Sequence, residues 1–115
     1  MRRYRVRRAA DVTRDLDLIE EYLVQVYQDL GDDPGSATER ATARINGALA
    51  YLRTFEEHPY RGSEHPEIGS GIRTVTSKRV VFYFEIDEPL SEVRILAVFF
   101  GGIDHRRQIL DRLRH

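Results

Sequence analysis

Residues 79–100 read RVVFYFEIDEPLSEVRILAVFF, and this stretch decides the fold. Two apolar runs, RVVFYFEI (79–86) and VRILAVFF (93–100), flank the polar connection DEPLSE. Both are rich in β-branched and aromatic residues, which fit a pleated, packed surface. Apolar side chains fall on both faces of each run, so these are central strands covered on at least one side. IRTV (72–75) just upstream supplies a further strand. Downstream, Gly101-Gly102 breaks the pattern, and a short helix is expected from Asp104 to Leu113. Ile103, Ile109, Leu110 and Leu113 form its apolar side.

Working back toward the N-terminus, PYRGSEHPEIGSG (59–71) holds two prolines and three glycines and reads as a surface loop. Before it, Ala37, Ala41, Ile45, Ala48, Leu49, Leu52 and Phe55 recur at helical spacing. Ser36 with Glu39 is a capping-box pair that places the helix start near residue 36. Pro59 stops this helix, and His58 is already biased away from it. An earlier stripe, Val12, Leu16, Ile19, Leu23, Val26 or Tyr27, and Leu30, predicts a helix that begins at Asp11 and ends at Gly31. The small residues early in the second stripe allow the two helices to pack closely as an antiparallel hairpin. RYRVRR (3–8) alternates arginine with Tyr4 and Val6, the pattern of a half-buried strand. The order is β-α-α-β-β-β-α. It describes one α+β domain over residues 1–115, with a helix hairpin packed on a mainly antiparallel four-stranded sheet.

At 115 residues, with 41% hydrophobic and 32% charged residues, the composition is that of a soluble globular domain. The basic N-terminus MRRYRVRRAADV has no apolar segment behind it, so it is not a secretory signal. No apolar run approaches a membrane span. A cytoplasmic protein is expected. Cysteine is absent, which excludes disulfides, thiolate metal sites and cysteine nucleophiles. The net charge of −1 hides an uneven layout: residues 1–8 carry five arginines and residues 11–33 carry eight acids against Arg14 alone. All the basic residues but Lys78 are arginine, whose planar fork suits interfaces, although a GC-rich genome yields the same bias. The chain as a whole is not basic enough for direct sequence-specific nucleic-acid binding.

His58, His65, His105 and His115 lie in different elements without ligand spacing, so no metal site is expected. The adjacent acids Glu20-Glu21, Asp32-Asp33 and Glu56-Glu57 point to different sides of their helices and cannot flank one substrate bond. Gly69-Ser70-Gly71 precedes a strand rather than a helix, so it is no phosphate cradle. No serine stands in a recognisable triad pattern, and no cofactor is implied. One set of residues remains: Arg73, Lys78, Arg79, Asp104, His105, Arg106 and Arg107, which enter or leave the late strands. They read either as a partner-facing edge or as ordinary solubilising charge.

YRVRRAADVTRDLDLIEEYL, FEEHPYRGSEHPEIGSGIRTV, RVVFYFEID and VRILAVFFGGIDHRRQIL together resemble the ParE branch of the RelE/ParE toxin superfamily, toxins of bacterial type II toxin–antitoxin modules. The middle block is the most specific: Phe55-x-x-x-Pro59, Arg61-Gly62, then Pro66-Glu67-x-Gly69-x-Gly71-x-Arg73. The resemblance covers nearly the whole chain and implies the RelE/ParE fold, often labelled plasmid stabilisation. It implies a ParD-like antitoxin as partner, held in an apolar trough between the hairpin and the sheet. Two activities compete: poisoning of DNA gyrase by binding, and RelE-type cleavage of mRNA on the ribosome; a non-toxic, antitoxin-binding member of the fold is the further alternative. The nuclease relatives place an arginine early in the central strand, another after the last strand and a tyrosine near the C-terminus. Here the matching positions are Val80, Ile103 and Ile109. A nuclease would have to use Arg73, Arg79, His105 and Arg106 instead, so the resemblance favours a gyrase-binding toxin without catalytic residues. The seven residues from Arg73 to Arg107 are then the expected partner-binding set.

Overall fold

A computed structural model describes residues 3–101 and 105–114. Nine elements follow one another: β1 (Arg5–Arg8), α1 (Val12–Asp29), α2 (Pro34–Arg53), a single 3₁₀ turn (Thr54–Glu56), β2 (Ser63–Glu64), β3 (Arg73–Ser77), β4 (Val80–Asp87), β5 (Glu92–Phe100) and α3 (Arg106–Leu113). The sheet runs β1-β5-β4-β3-β2, with β1 parallel to β5 and every other pair antiparallel. The two long apolar runs are central, as their two-sided hydrophobicity requires. The sheet has five strands rather than four. The extra one, β2, is a two-residue pairing of Ser63 and Glu64 with Thr74 and Arg73 inside the proline–glycine loop.

The α1 stripe buries Val12, Leu16, Ile19, Leu23 and Tyr27, so Tyr27 rather than Val26 completes it. Leu30 sits at the C-cap, 73% exposed, and Gly31 follows at φ 112°. The second helix starts earlier than the Ser36–Glu39 pair suggests. Asp33 is its N-cap and accepts the Ser36 N–H at 2.9 Å, with Pro34 in the first turn where a missing N–H costs nothing. Ala37, Ala41, Ala48 and Leu52 face the core. Phe55, fully buried in the 3₁₀ turn, meets Phe84 edge-on at 4.8 Å and Phe82 at 6.2 Å, while Tyr51 stacks on Phe82 at 5.1 Å. This packing fills the space between hairpin and sheet where a partner trough was expected.

The Arg61-Gly62 pair has a structural reason. Arg61 donates to His58 O at 2.9 Å and Thr54 Oγ1 at 2.7 Å and lies over the Tyr51 and Phe55 rings, tying the loop to the end of α2. Gly62 has φ 73°, and a Cβ there would stand 1.9 Å from the Thr74 carbonyl oxygen. No other residue permits β2 to approach β3 so closely.

The opposite face of the sheet carries a second, smaller core of Ile72, Tyr83, Ala97, Phe99 and Ile109, covered by α3 and the 65–72 loop. A bulge creates it. Tyr83 pairs with Ala97 but Phe84 pairs with Ile95, leaving Leu96 as the extra residue.

Candidate binding groove beside the Tyr83–His105 pair

Cross-strand partners point to the same face, so the pairing of Arg73 with Phe84 puts Arg73 on the hairpin side. Its guanidinium donates to the carbonyls of Tyr60 and Arg61, both at 3.3 Å, and to Glu64 at 3.2 Å. The side chain is only 14% exposed. Tyr60 lies under the same group, and its hydroxyl titration is pushed up to about 12 by the neighbouring Glu88 carboxylate.

Lys78 and Arg79 form the two-residue turn between β3 and β4, with φ of 50° and 68°. Neither is glycine, so both carry left-handed strain. The surroundings hold the turn in place. Arg44 donates to Lys78 O at 2.6 Å, the Gly101 N–H donates to Arg79 O, and Arg79 lies 5.1 Å from the Phe100 ring centre. Arg73 and Arg79 therefore occupy opposite ends of β3, and the fold does not bring them together. Arg106 and Arg107 open α3, exposed. Asp104 lies outside the described residues.

His105 is drawn into a contact that the sequence does not announce. Its Nδ1 is 2.8 Å from the Tyr83 hydroxyl, and its ring stacks on Phe99 at 5.2 Å with an interplanar angle of 8°. Tyr83 meets Phe99 nearly at right angles. Alternation along β4 and β5 aims both rings away from the hairpin, and the small Ala97 opposite Tyr83 leaves room for them. A tyrosine and a histidine thus share a hydrogen bond across 22 positions of sequence.

Beside this pair lies a clasp. Asp15 of α1, 4% exposed, accepts the Val98 N–H at 3.0 Å and a forked pair from Arg112 of α3 at 2.7 and 2.8 Å. Arg112 also donates to Leu96 O at 3.1 Å. The hydrogen bonds to the Asp15 carboxylate hold the Arg112 pKa above its ordinary value. The signal for it was present in the spacing. Asp15 falls on the buried stripe three residues after Val12, and Arg112 lies three residues after Ile109.

Clasp and pair together border a cavity of about 320 Å³. Its floor is Val98, Phe99 and Phe100. One wall is α1, with Arg14, Leu18 and Tyr22, and the other is α3, with His105 and Gln108. Among the described residues, no group of three or more His, Cys, Asp or Glu stands close enough to hold a metal ion. No helix among them is long and apolar enough to cross a membrane.

This architecture has solved counterparts. A chain of the chromosomal ParDE toxin–antitoxin system of P. aeruginosa matches with a TM-score of 0.67 at 17% identity, covering 86% of this chain and 97% of that one. A chain of the toxin–antitoxin complex RelBE2 of Mycobacterium tuberculosis matches at 0.61 and 17% identity, covering 90% and 97%. The chain has the RelE/ParE toxin fold. No family model and no curated protein matches the sequence itself. The fifth strand is a small addition to the expected order.

Proposed function

We propose that this chain is the toxin of a type II toxin–antitoxin module, neutralised by a ParD-like antitoxin, and that it acts by binding DNA gyrase. The observation that supports the module reading is the likeness of nearly the whole chain to components of two such systems. The preference for binding over cleavage rests on how the cations are spread. Metal-free phosphodiester cleavage needs an acid, a base and cationic stabilisation converging on one phosphate. Arg73 lies across the sheet from His105, Arg79 is held in its turn, and the Arg112 fork is taken by Asp15. Lys78, Arg79, Arg106 and Arg107, at one end of the sheet, are the partner-facing cations on this reading.

One specific observation favours a second reading. The hydrogen-bonded Tyr83–His105 pair supplies the acid–base partners that a ribosome-dependent ribonuclease would use, with Arg106 beside it. A gyrase supercoiling assay separates the two. With purified chain, inhibition accompanied by accumulation of cleaved DNA, relieved by a ParD-like antitoxin, is expected. Unimpaired supercoiling with inhibited translation, abolished by Tyr83→Phe and His105→Ala, would transfer the assignment to RNA cleavage.

A further inference from the structure

Many arginines of this chain are matched by an acid. Arg3 meets Glu56 and Glu57, Arg7 and Arg94 share Glu92, Arg40 meets Asp32, and Arg73 meets Glu64. The end of the sheet at the β3–β4 turn differs. Among the described residues, Arg44 of α2, Lys78 and Arg79 make no ion pair. Arg5 and Arg14 also lack one, but they stand on separate elements. The three at the turn are drawn together by their own contacts. Arg44 lies 5.4 Å from the Phe100 ring centre, Arg79 lies 5.1 Å from the same ring, and Arg44 donates to Lys78 O at 2.6 Å. The ring face attracts each cation but leaves its charge intact. Phe100 and Val80 beneath them are buried, so the charges rest on apolar ground where their field is less screened.

The turn that supplies two of these cations also breaks a local rule. A two-residue hairpin with both residues left-handed is most readily made by Asn-Gly, yet Lys78 and Arg79 occupy it. Arg44 and the Gly101 N–H grip the two carbonyls and keep the strained backbone in place. Arg44 is itself held from a second side, 3.4 Å from the Tyr27 hydroxyl. Strain maintained by neighbouring groups is characteristic of functional positions. Here it collects like charges that would otherwise move apart.

We infer that Arg44, Lys78 and Arg79 bind the phosphate backbone of duplex DNA. The inference deepens the gyrase reading on which it rests: the cationic end holds the DNA that the enzyme carries. A phosphate suits the cluster better than a carboxylate. A carboxylate is planar, carries one charge and is satisfied by a single guanidinium fork. Phosphate oxygens accept from several directions, and successive phosphates along a strand supply charge for all three cations. Such contacts position a protein on the duplex without reading its sequence. That agrees with a net charge of −1, which gives the chain as a whole no general attraction to nucleic acid.

The test titrates the full chain with a short DNA duplex and follows its amide resonances. Lys78, Arg79 and Phe100 should shift first. The logarithm of the affinity should fall with the logarithm of salt at a slope of about −2.7, as three phosphate contacts require. Lys78→Asn with Arg79→Gly keeps the turn and removes two cations. The slope should then shrink to about −0.9, and the affinity at low salt should drop at least about tenfold. Arg44→Gln keeps a donor for Lys78 O and should take about 0.9 from the slope. In the supercoiling assay the same variants should lose inhibition. Tighter binding of oligo-glutamate than of duplex at these residues overturns the inference in favour of an acidic protein surface. A preference for single-stranded RNA overturns it in favour of an RNA backbone. A duplex that binds elsewhere or not at all, with gyrase inhibition intact, overturns it and leaves the gyrase reading standing. Duplex binding at the turn without any inhibition upholds the DNA site and overturns the gyrase reading instead.

Discussion

The two halves of β5's outer edge solve one problem in different ways. From Glu92 to Ile95 the edge is closed by the β1 backbone, and the arginines that flank β1 sit exposed on an edge strand, where charge discourages further pairing. From Leu96 to Phe100 a buried carboxylate and one guanidinium occupy the first groups, and the remainder opens on a groove. A backbone ladder closes an edge permanently. A side-chain clasp closes only what it touches, and it ties α1 to α3 while leaving the next residues accessible. The same strand is thus closed by backbone in its first half and by side chains in its second.

The largest expected effect breaks the second half. Asp15→Ala strands the Val98 N–H and the part-buried Arg112 together, and losing one partner of such a pair costs about 3–5 kcal/mol. Urea unfolding should show that loss, and Ile109 should become exposed as α3 loosens. Arg112→Met leaves the buried Asp15 carboxylate with a backbone donor and no countercharge, so its cost should be of the same size, about 3–5 kcal/mol. Measured together, the two substitutions should cost less than their sum, because they remove the same contact.

A gain is expected at the far end of the free half, where the Gly101 N–H meets the Lys78-Arg79 turn. Asn-Gly in place of these residues suits two left-handed positions in a two-residue hairpin, and should stabilise the chain by roughly 1 kcal/mol. The substitution also removes two cations, so on the gyrase proposal inhibition should weaken even as the melting temperature rises.

A smaller effect is linked to pH. Hydrogen bonds from the Ser36 N–H and hydroxyl hold the Asp33 carboxyl below its ordinary value. Its folded pKa is therefore lower than its unfolded one, so its contribution is complete at neutral pH and fades as the pH falls through the carboxylate range. Asp33→Ala should lower stability at neutral pH and narrow the difference from the parent chain on acidification. Least of all, Leu18→Ala on the exposed wall should change stability by no more than about 0.5 kcal/mol.

Much of this fold was legible in the sequence because local patterns and tertiary packing agree. The two-sided apolar runs became the central strands, and the α1 stripe became the buried face of a helix. What was missed depends on contacts distant in sequence. Ser63-Glu64 has no strand signal of its own and pairs only because Gly62 lets it lie against β3. The capping box at Ser36 was overruled by Asp33-Pro34, a stronger start three residues earlier. Leu30 matched the stripe but fell beyond the last turn. At the site, the cations were visible but their dispersal was not, because facing depends on cross-strand register. Tyr83 could not be matched to His105 because the contact spans 22 positions and depends on how the chain after β5 packs on the sheet.

The most direct test of the toxin reading is growth of bacteria after induction of this chain, alone and with a ParD-like antitoxin. The account predicts arrest on induction alone and recovery when both are made. Unimpaired growth of cells containing the folded, soluble chain without that protein would contradict it.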